Sequence, residues 1–201
     1  MKRVLYLITA LFLLVLFLPF FIFIYLLRKL IGESGQLIFS QKRAGKNKKP
    51  FKIYKLRTMI IGAENLKSKF KNLNEANGPV FKIYDDPRYT KLGKFLAHSG
   101  LDELPQLINV IKGEMDFVGP RPFPMKEAKK IPKKYERRFS VLPGMTSPWV
   151  TNGASHKSFN NWMELDLEYV AKKSLFSDLS ISIKTVFFII KLIIKQIING
   201  N

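Results

Sequence analysis

Apolar residues crowd the two ends of the chain, while the middle carries short alternating and helical patterns punctuated by glycine and proline. Residues 4–27 are apolar apart from Thr9 and two tyrosines. That run of about 24 residues is long enough to cross a ~30 Å hydrocarbon core. It is too long for a signal peptide and is followed by no small-residue cleavage site. Lys2 and Arg3 precede it and Arg28 and Lys29 follow it, so the positive-inside bias draws both ends to the cytoplasmic side. Pro19 can break a helix within the run. A helix–break–helix that enters one leaflet and returns satisfies both observations better than a straight span, so residues 1–31 are expected to be a re-entrant membrane helix.

After a turn at residues 32–35, residues 36–40 read as a short strand and residues 42–50 as a basic loop. Residues 51–59 (FKIYKLRTM) alternate apolar and basic positions, the pattern of a half-buried strand with a cationic outer face. Residues 62–76 place Leu66, Phe70 and Leu73 at helical spacing, which predicts a surface amphipathic helix ended by Asn77-Gly78-Pro79. A strand over 80–84 and a turn over 85–88 follow. Residues 126–138 form a basic helical segment interrupted by Pro132. Phe159, Trp162, Leu165, Tyr169 and Leu175 read as core. The tail, residues 179–198, is apolar but carries Lys184, Lys191 and Lys195 along one helical face. Three lysines are costly inside a membrane, so an amphipathic helix on the interface or against the domain is expected. The whole predicts an α/β fold: one compact domain over 32–201, continuous with the anchor.

The most informative stretch is residues 99–122, SGLDELPQLINVIKGEMDFVGPRP. Leu104, Leu107, Ile108 and Ile111 fall at i, i+3, i+4 and i+7, and Gly113 supplies a helix stop. Asp102 and Glu103 then lie in the N-terminal turn, where free N–H groups favour negative charge. Helix capping alone would explain such a pair; so would an ionised carboxylate acting as nucleophile or metal ligand with its neighbour in support. The end of the stretch bears on the choice. Pro120 and Pro122 fix the backbone on both sides of Arg121, whose planar fork suits phosphate. Carboxylates for Mg²⁺ and an arginine for phosphate together point to phosphoryl transfer.

Charge narrows the partners. Across 201 residues the formal net charge is +19, which implies nucleic acid, anionic lipid or phosphate-bearing substrates. With no cysteine and two histidines, disulfides, thiolate metal sites and histidine-rich metal sites are excluded. The aromatic-basic alternation of residues 51–59 would also suit single-stranded nucleic acid.

The string over 99–122 resembles the signature of the bacterial monotopic phosphoglycosyl transferases. The likeness extends to FSQKRAGKNKKPFKIYKLRTM (39–59), DDPRYTKLGKFL (85–96) and RRFSVLPGMT (137–146). The resemblance implies a bacterial enzyme on the cytoplasmic face of the plasma membrane. Such an enzyme transfers a sugar-1-phosphate from a UDP-sugar to polyprenyl (undecaprenyl) phosphate, releasing UMP. It implies Asp102 as covalent nucleophile, Glu103 as base or metal ligand, and Mg²⁺ held by both. Arg121, Lys55, Arg57 and Arg138 are the expected phosphate contacts, anionic lipid is an expected partner, and nucleic acid is not. This chain departs from the family at Tyr6 (usually acidic), Leu18 (usually serine before the proline), Ala97 (usually arginine), and Val150 and Ala154, where a glutamine and an arginine are usual. Those departures leave a decayed family member as one competing reading; the charge and the aromatic-basic strand support another, a membrane-tethered, non-catalytic polyanion binder.

Overall fold

The computed structural model describes residues 2–151 and 158–198, so the departure at Ala154 lies outside the described residues. The N-terminal apolar run folds as two helices, α1 (Lys2–Leu16) and α2 (Leu18–Leu30), bent by 43°. Pro19 stands in the first turn of α2, where a missing N–H leaves no hydrogen bond broken. No single described helix is long and apolar enough to cross a membrane, whereas this bent pair together has the length and composition of a broken span or a re-entrant loop. Val4, Ile8, Phe12 and Val15 of α1, and Leu18, Ile22 and Phe23 of α2, stand exposed.

The other faces of the two helices tie them to the domain. Tyr6 and Ala10 pack with Ile53, Leu107, Val110 and Met115, and Ile24 packs with Leu56 and Leu96. Arg28 is buried, bridged to Glu33 at 3.3 Å and donating to the Ser34 and Arg57 carbonyls. At the other end Tyr6 donates to Asp178 Oδ2 at 2.7 Å, and Lys2 meets the same oxygen at 2.6 Å. The carboxylate that the resemblance places at position 6 is thus supplied here from the far end of the chain.

Two small sheets carry the backbone of the domain. The first is an antiparallel ribbon of β1 (Ile38–Ala44) and β2 (Pro50–Leu56), in register from Ile38↔Leu56 to Ala44↔Pro50. β1 therefore runs through Lys42 and Arg43, which the sequence placed in a basic loop; the true turn is confined to residues 45–49, where Asn47 and Lys48 take positive φ. The second sheet pairs β3 (Asp116–Val118) with β4 (Gly144–Thr146) in parallel. A Cβ at Gly144 would overlap the Gly119 amide, so only glycine fits there.

Between the sheets run α3 (Lys91–Ser99), a 3₁₀ turn (Leu101–Gln106) and α4 (Leu107–Lys112). Thr90 caps α3 through Gly93 N, and Gly100 and Gly113 close α3 and α4 in the left-handed conformation. The largest core cluster gathers Phe123, Ile131, Tyr135, Phe139, Trp149, Phe159, Trp162 and Met163. It joins α5 (Met125–Ala128), a 3₁₀ stretch (Lys133–Ser140), α6 (Pro148–Thr151) and α7 (Phe159–Lys172). α8 (Leu175–Ile198) continues the chain and exposes Leu179, Ile183, Val186, Phe187, Ile190 and Ile194. Leu175, expected in the core, is half exposed.

Two expected elements are absent. Residues 62–76 form successive tight turns, with i→i−3 bonds such as Asn65 N to Gly62 O and Leu66 N to Ala63 O, and a 3₁₀ turn (Lys71–Leu73). On a helix Lys67 and Lys71 would face each other at i and i+4, and three apolar residues supply too little burial to propagate one. Residues 80–84 form no strand. Asn74 Oδ1 accepts from Lys82 N and Ala76 N, so a side chain takes hydrogen bonds that a ladder would have used. The turn at 85–88 is as expected, and it holds a buried Asp86–Arg88 ion pair, with Arg88 Nη1 also donating to Ala63 O at 3.0 Å.

Candidate active site

Gly100 reverses the chain at the end of α3, and the 3₁₀ turn that follows puts Asp102 and Glu103 at its start, with Glu103 N bonded to Gly100 O. β2 runs alongside and presents Lys55. Its Nζ lies 2.7 Å from Glu103 Oε1 and 3.3 Å from Asp102 Oδ2. Beyond β3, the Gly119-Pro120-Arg121-Pro122 corner brings Arg121 to the other side of Glu103, Nη2 to Oε1 at 2.7 Å and Nη1 to Oε2 at 3.4 Å. Two carboxylates and two cations from three separate chain segments thus meet, and the two cations line a small cleft together with Arg43, Ile53, Gln106 and Gly144.

The two neighbouring carboxyls are not equivalent. Burial raises Asp102, Lys55 lowers it, and the Glu103 charge adds to the rise, leaving it at about 6. For Glu103, burial acts upward too, but Arg121 and then Lys55 outweigh it and hold the group well below the usual carboxylate range. Glu103 in turn raises Arg121. The sequence predicted a helix terminus favouring charge on both groups; the structure adds burial, which separates them. Glu103 is the permanent anion that organises the cations. Asp102 is the more basic carboxylate, with Lys55 on one of its oxygens.

Four phosphate contacts were expected, and the structure treats them differently. Arg121 and Lys55 are in the cleft. Arg57 lies two residues past Lys55 and points to the ribbon's end, donating from Nε to Gln36 O at 2.9 Å, with its guanidinium over Phe39. Arg138 lies behind the site rather than in it. It is 2% exposed, and its Nε and Nη2 both donate to Asp166 Oδ2, at 3.0 and 2.7 Å. Its Nη2 also donates to the Arg121 carbonyl at 2.7 Å, between the rings of Phe123 and Phe139. Arg138 therefore positions Arg121 through its carbonyl.

Sequence reading passed over Arg43 and Gln106. The alternation Phe39, Gln41, Arg43 could have found the first, since the register places these opposite Lys55, Ile53 and Phe51 on one face of the ribbon. Gln106 is buried and bears no motif. As for a metal, the described residues contain no group of three or more His, Asp or Glu side chains able to hold one. Two adjacent carboxylates still fit Mg²⁺, which takes most of its oxygens from water and substrate phosphate.

Sequence comparison now bears on this arrangement. Residues 1–192 match the family described as bacterial sugar transferase. The chain belongs to that family. It is 39% identical over 163 residues to a galactosyl transferase, CpsE, of Streptococcus agalactiae, covering 81% of this chain and 36% of that one. It is 35% identical over 170 residues to the undecaprenyl-phosphate galactose phosphotransferase of Salmonella typhimurium, covering 81% and 35%. With the exopolysaccharide production protein ExoY of Rhizobium meliloti it shares 36% identity over 177 residues, covering 86% and 78%. The chain thus spans little more than a third of the first two relatives and most of the third.

Proposed function

We propose that this bacterial sugar transferase moves a sugar-1-phosphate from a UDP-sugar to polyprenyl phosphate at the cytoplasmic face of the membrane, giving polyprenyl-diphospho-sugar and UMP. The observation that carries the reading is the cluster itself: a buried Asp102 and a partly buried Glu103 with a lysine and an arginine already gathered on them. The printed names of relatives, which include an undecaprenyl-phosphate galactose phosphotransferase and a UDP-glucose:undecaprenyl-phosphate glucose-1-phosphate transferase, support the substrate class.

In this account Lys55 and Arg121 engage the diphosphate and hold its β-phosphorus against Asp102. An oxygen of Asp102 attacks that phosphorus, the bond to the bridging oxygen breaks, and UMP departs with that oxygen. The sugar-phosphate stays on Asp102 until a phosphate oxygen of the polyprenyl phosphate attacks the same phosphorus and frees the carboxylate. Glu103 keeps Lys55 and Arg121 in place. Mg²⁺, held by Asp102 and Glu103, would offset phosphate charge so that an anionic nucleophile can approach. The exposed apolar faces of α1, α2 and α8 sit in the membrane, with Lys184, Lys191 and Lys195 beside the α8 stripe meeting anionic lipid. UMP release from a panel of UDP-sugars with undecaprenyl phosphate and Mg²⁺ tests the reading. Turnover with one or a few sugars is expected, and none with any would overturn it.

A further inference from the structure

Arg43 lines the same cleft as Lys55 and Arg121. Its Nη1 donates to the Pro122 carbonyl at 3.1 Å, which ties its guanidinium to the Pro-Arg-Pro corner. Its Nε is buried and has no hydrogen-bond partner among the described residues. A buried charged donor without an acceptor is rare and costly, and where one persists a ligand is a natural acceptor. The surroundings make the position more costly still. Burial lowers the Arg43 guanidinium to about 10, with Arg121 as the next cause. Lys82 is lowered by burial and then by the same Arg121.

Nearby acids are committed elsewhere. Glu103 is bound by Lys55 and Arg121, Glu127 by Lys67 at 3.1 Å, and Glu64 by Gln41 at 2.9 Å. The chain has therefore brought a second guanidinium against the first without giving it a carboxylate of its own. This is the arrangement expected where an anion completes the site.

We infer that Arg43 is a further phosphate-contacting residue of this cleft, its Nε–H donating to a phosphate oxygen of the ligand that Arg121 and Lys55 engage. The inference rests on the proposed function for the identity of that ligand but not for its charge. Two sources of the phosphate are possible, the nucleoside diphosphate or the prenyl phosphate, and both present the same oxygens to Arg43.

Equilibrium binding of two probes, UDP and farnesyl phosphate, to the detergent-solubilised full chain separates them. The variants are Arg43→Gln and Arg43→Lys, with Lys46→Gln in the exposed turn beyond β1 as control. Arg43→Gln is expected to weaken one probe by about tenfold or more, the size of effect set by a charge-assisted hydrogen bond, with Arg43→Lys between it and wild type. The affected probe identifies the source. The ligand-free unfolding temperature of Arg43→Lys should stay near wild type, because lysine can keep the Pro122 contact. Should Arg43→Gln fail to fold, Arg43→Lys decides the matter by the same binding readout. Unchanged binding of both probes, or binding of neither by wild type, overturns the inference. Loss of probe binding in a chain that releases no UMP from any UDP-sugar would leave Arg43 as a phosphate contact and remove only the transferase reading.

Discussion

Arg121 grips Glu103 through both ends of its fork, Nη2 to Oε1 at 2.7 Å and Nη1 to Oε2 at 3.4 Å. A guanidinium so engaged stands ready beside Asp102 but must share its donors when phosphate arrives. Glu103→Gln should weaken that hold and that on Lys55, lowering transfer by about 10²–10³-fold, the usual loss when one preorganised electrostatic contact is removed. Arg121→Lys, which keeps charge but loses the fork, should fall in the same range. Steady-state UMP release measures both. Activity within about twofold of wild type in either variant would contradict the assigned roles.

Arg138 and Asp166 are both buried, and Arg138 also holds the Arg121 carbonyl. Asp166→Asn leaves a buried guanidinium without its counter-charge, which is expected to cost about 3–5 kcal/mol of stability. The unfolding midpoint in urea should drop accordingly, and transfer should fall even at temperatures where the variant remains folded. A variant as stable as wild type would show that the pair is dispensable.

Asp178 receives Tyr6, Lys2 and Tyr169. Tyr6→Phe removes one buried hydrogen bond and should cost about 1–2 kcal/mol, since two partners remain. Asp178→Ala strips all three and should cost more than Tyr6→Phe. Thermal unfolding in detergent reads both, and the reverse order would contradict the tether.

The basic residues on both flanks of the bent pair, Lys2 and Arg3 before it and Arg28 and Lys29 after it, predict a re-entrant topology. Single cysteines placed at residues 2 and 30 should both be labelled from the cytoplasmic side only. Labelling from opposite sides would show a span. Pro19→Leu should shift the population towards a span, because it removes the residue that opens α2 and leaves a continuous apolar helix.

Much of this molecule was legible in its sequence, for identifiable reasons. Gly113 marks a helix end by local chemistry and Pro19 marks the bend, each within a few residues of its effect, whereas the helix over Lys91–Ser99, with its ends at Thr90 and Gly100, came only with the structure. Asp102, Glu103 and Arg121 were legible because one motif carries them all. Residues 62–76 failed because helical spacing of Leu66, Phe70 and Leu73 says nothing about whether enough neighbours bury them. Residues 80–84 failed because a remote side chain, Asn74, took their backbone bonds. The hold of Arg138 on Asp166 and on the Arg121 carbonyl was not legible, because an arginine that binds phosphate and one that binds a buried carboxylate read alike in sequence. Arg43 was hidden by its basic neighbours, and the strand alternation that reveals it depends on where β1 ends.

The central claim is that Asp102 takes up the sugar-phosphate before the lipid acceptor is present. Intact-mass measurement of the protein incubated with an accepted UDP-sugar and Mg²⁺, without polyprenyl phosphate, tests it directly. The account predicts an added mass of one sugar-phosphate on the wild-type chain, absent in Asp102→Asn and lost when polyprenyl phosphate is supplied. No adduct, with product forming only when both substrates are present together, would contradict it.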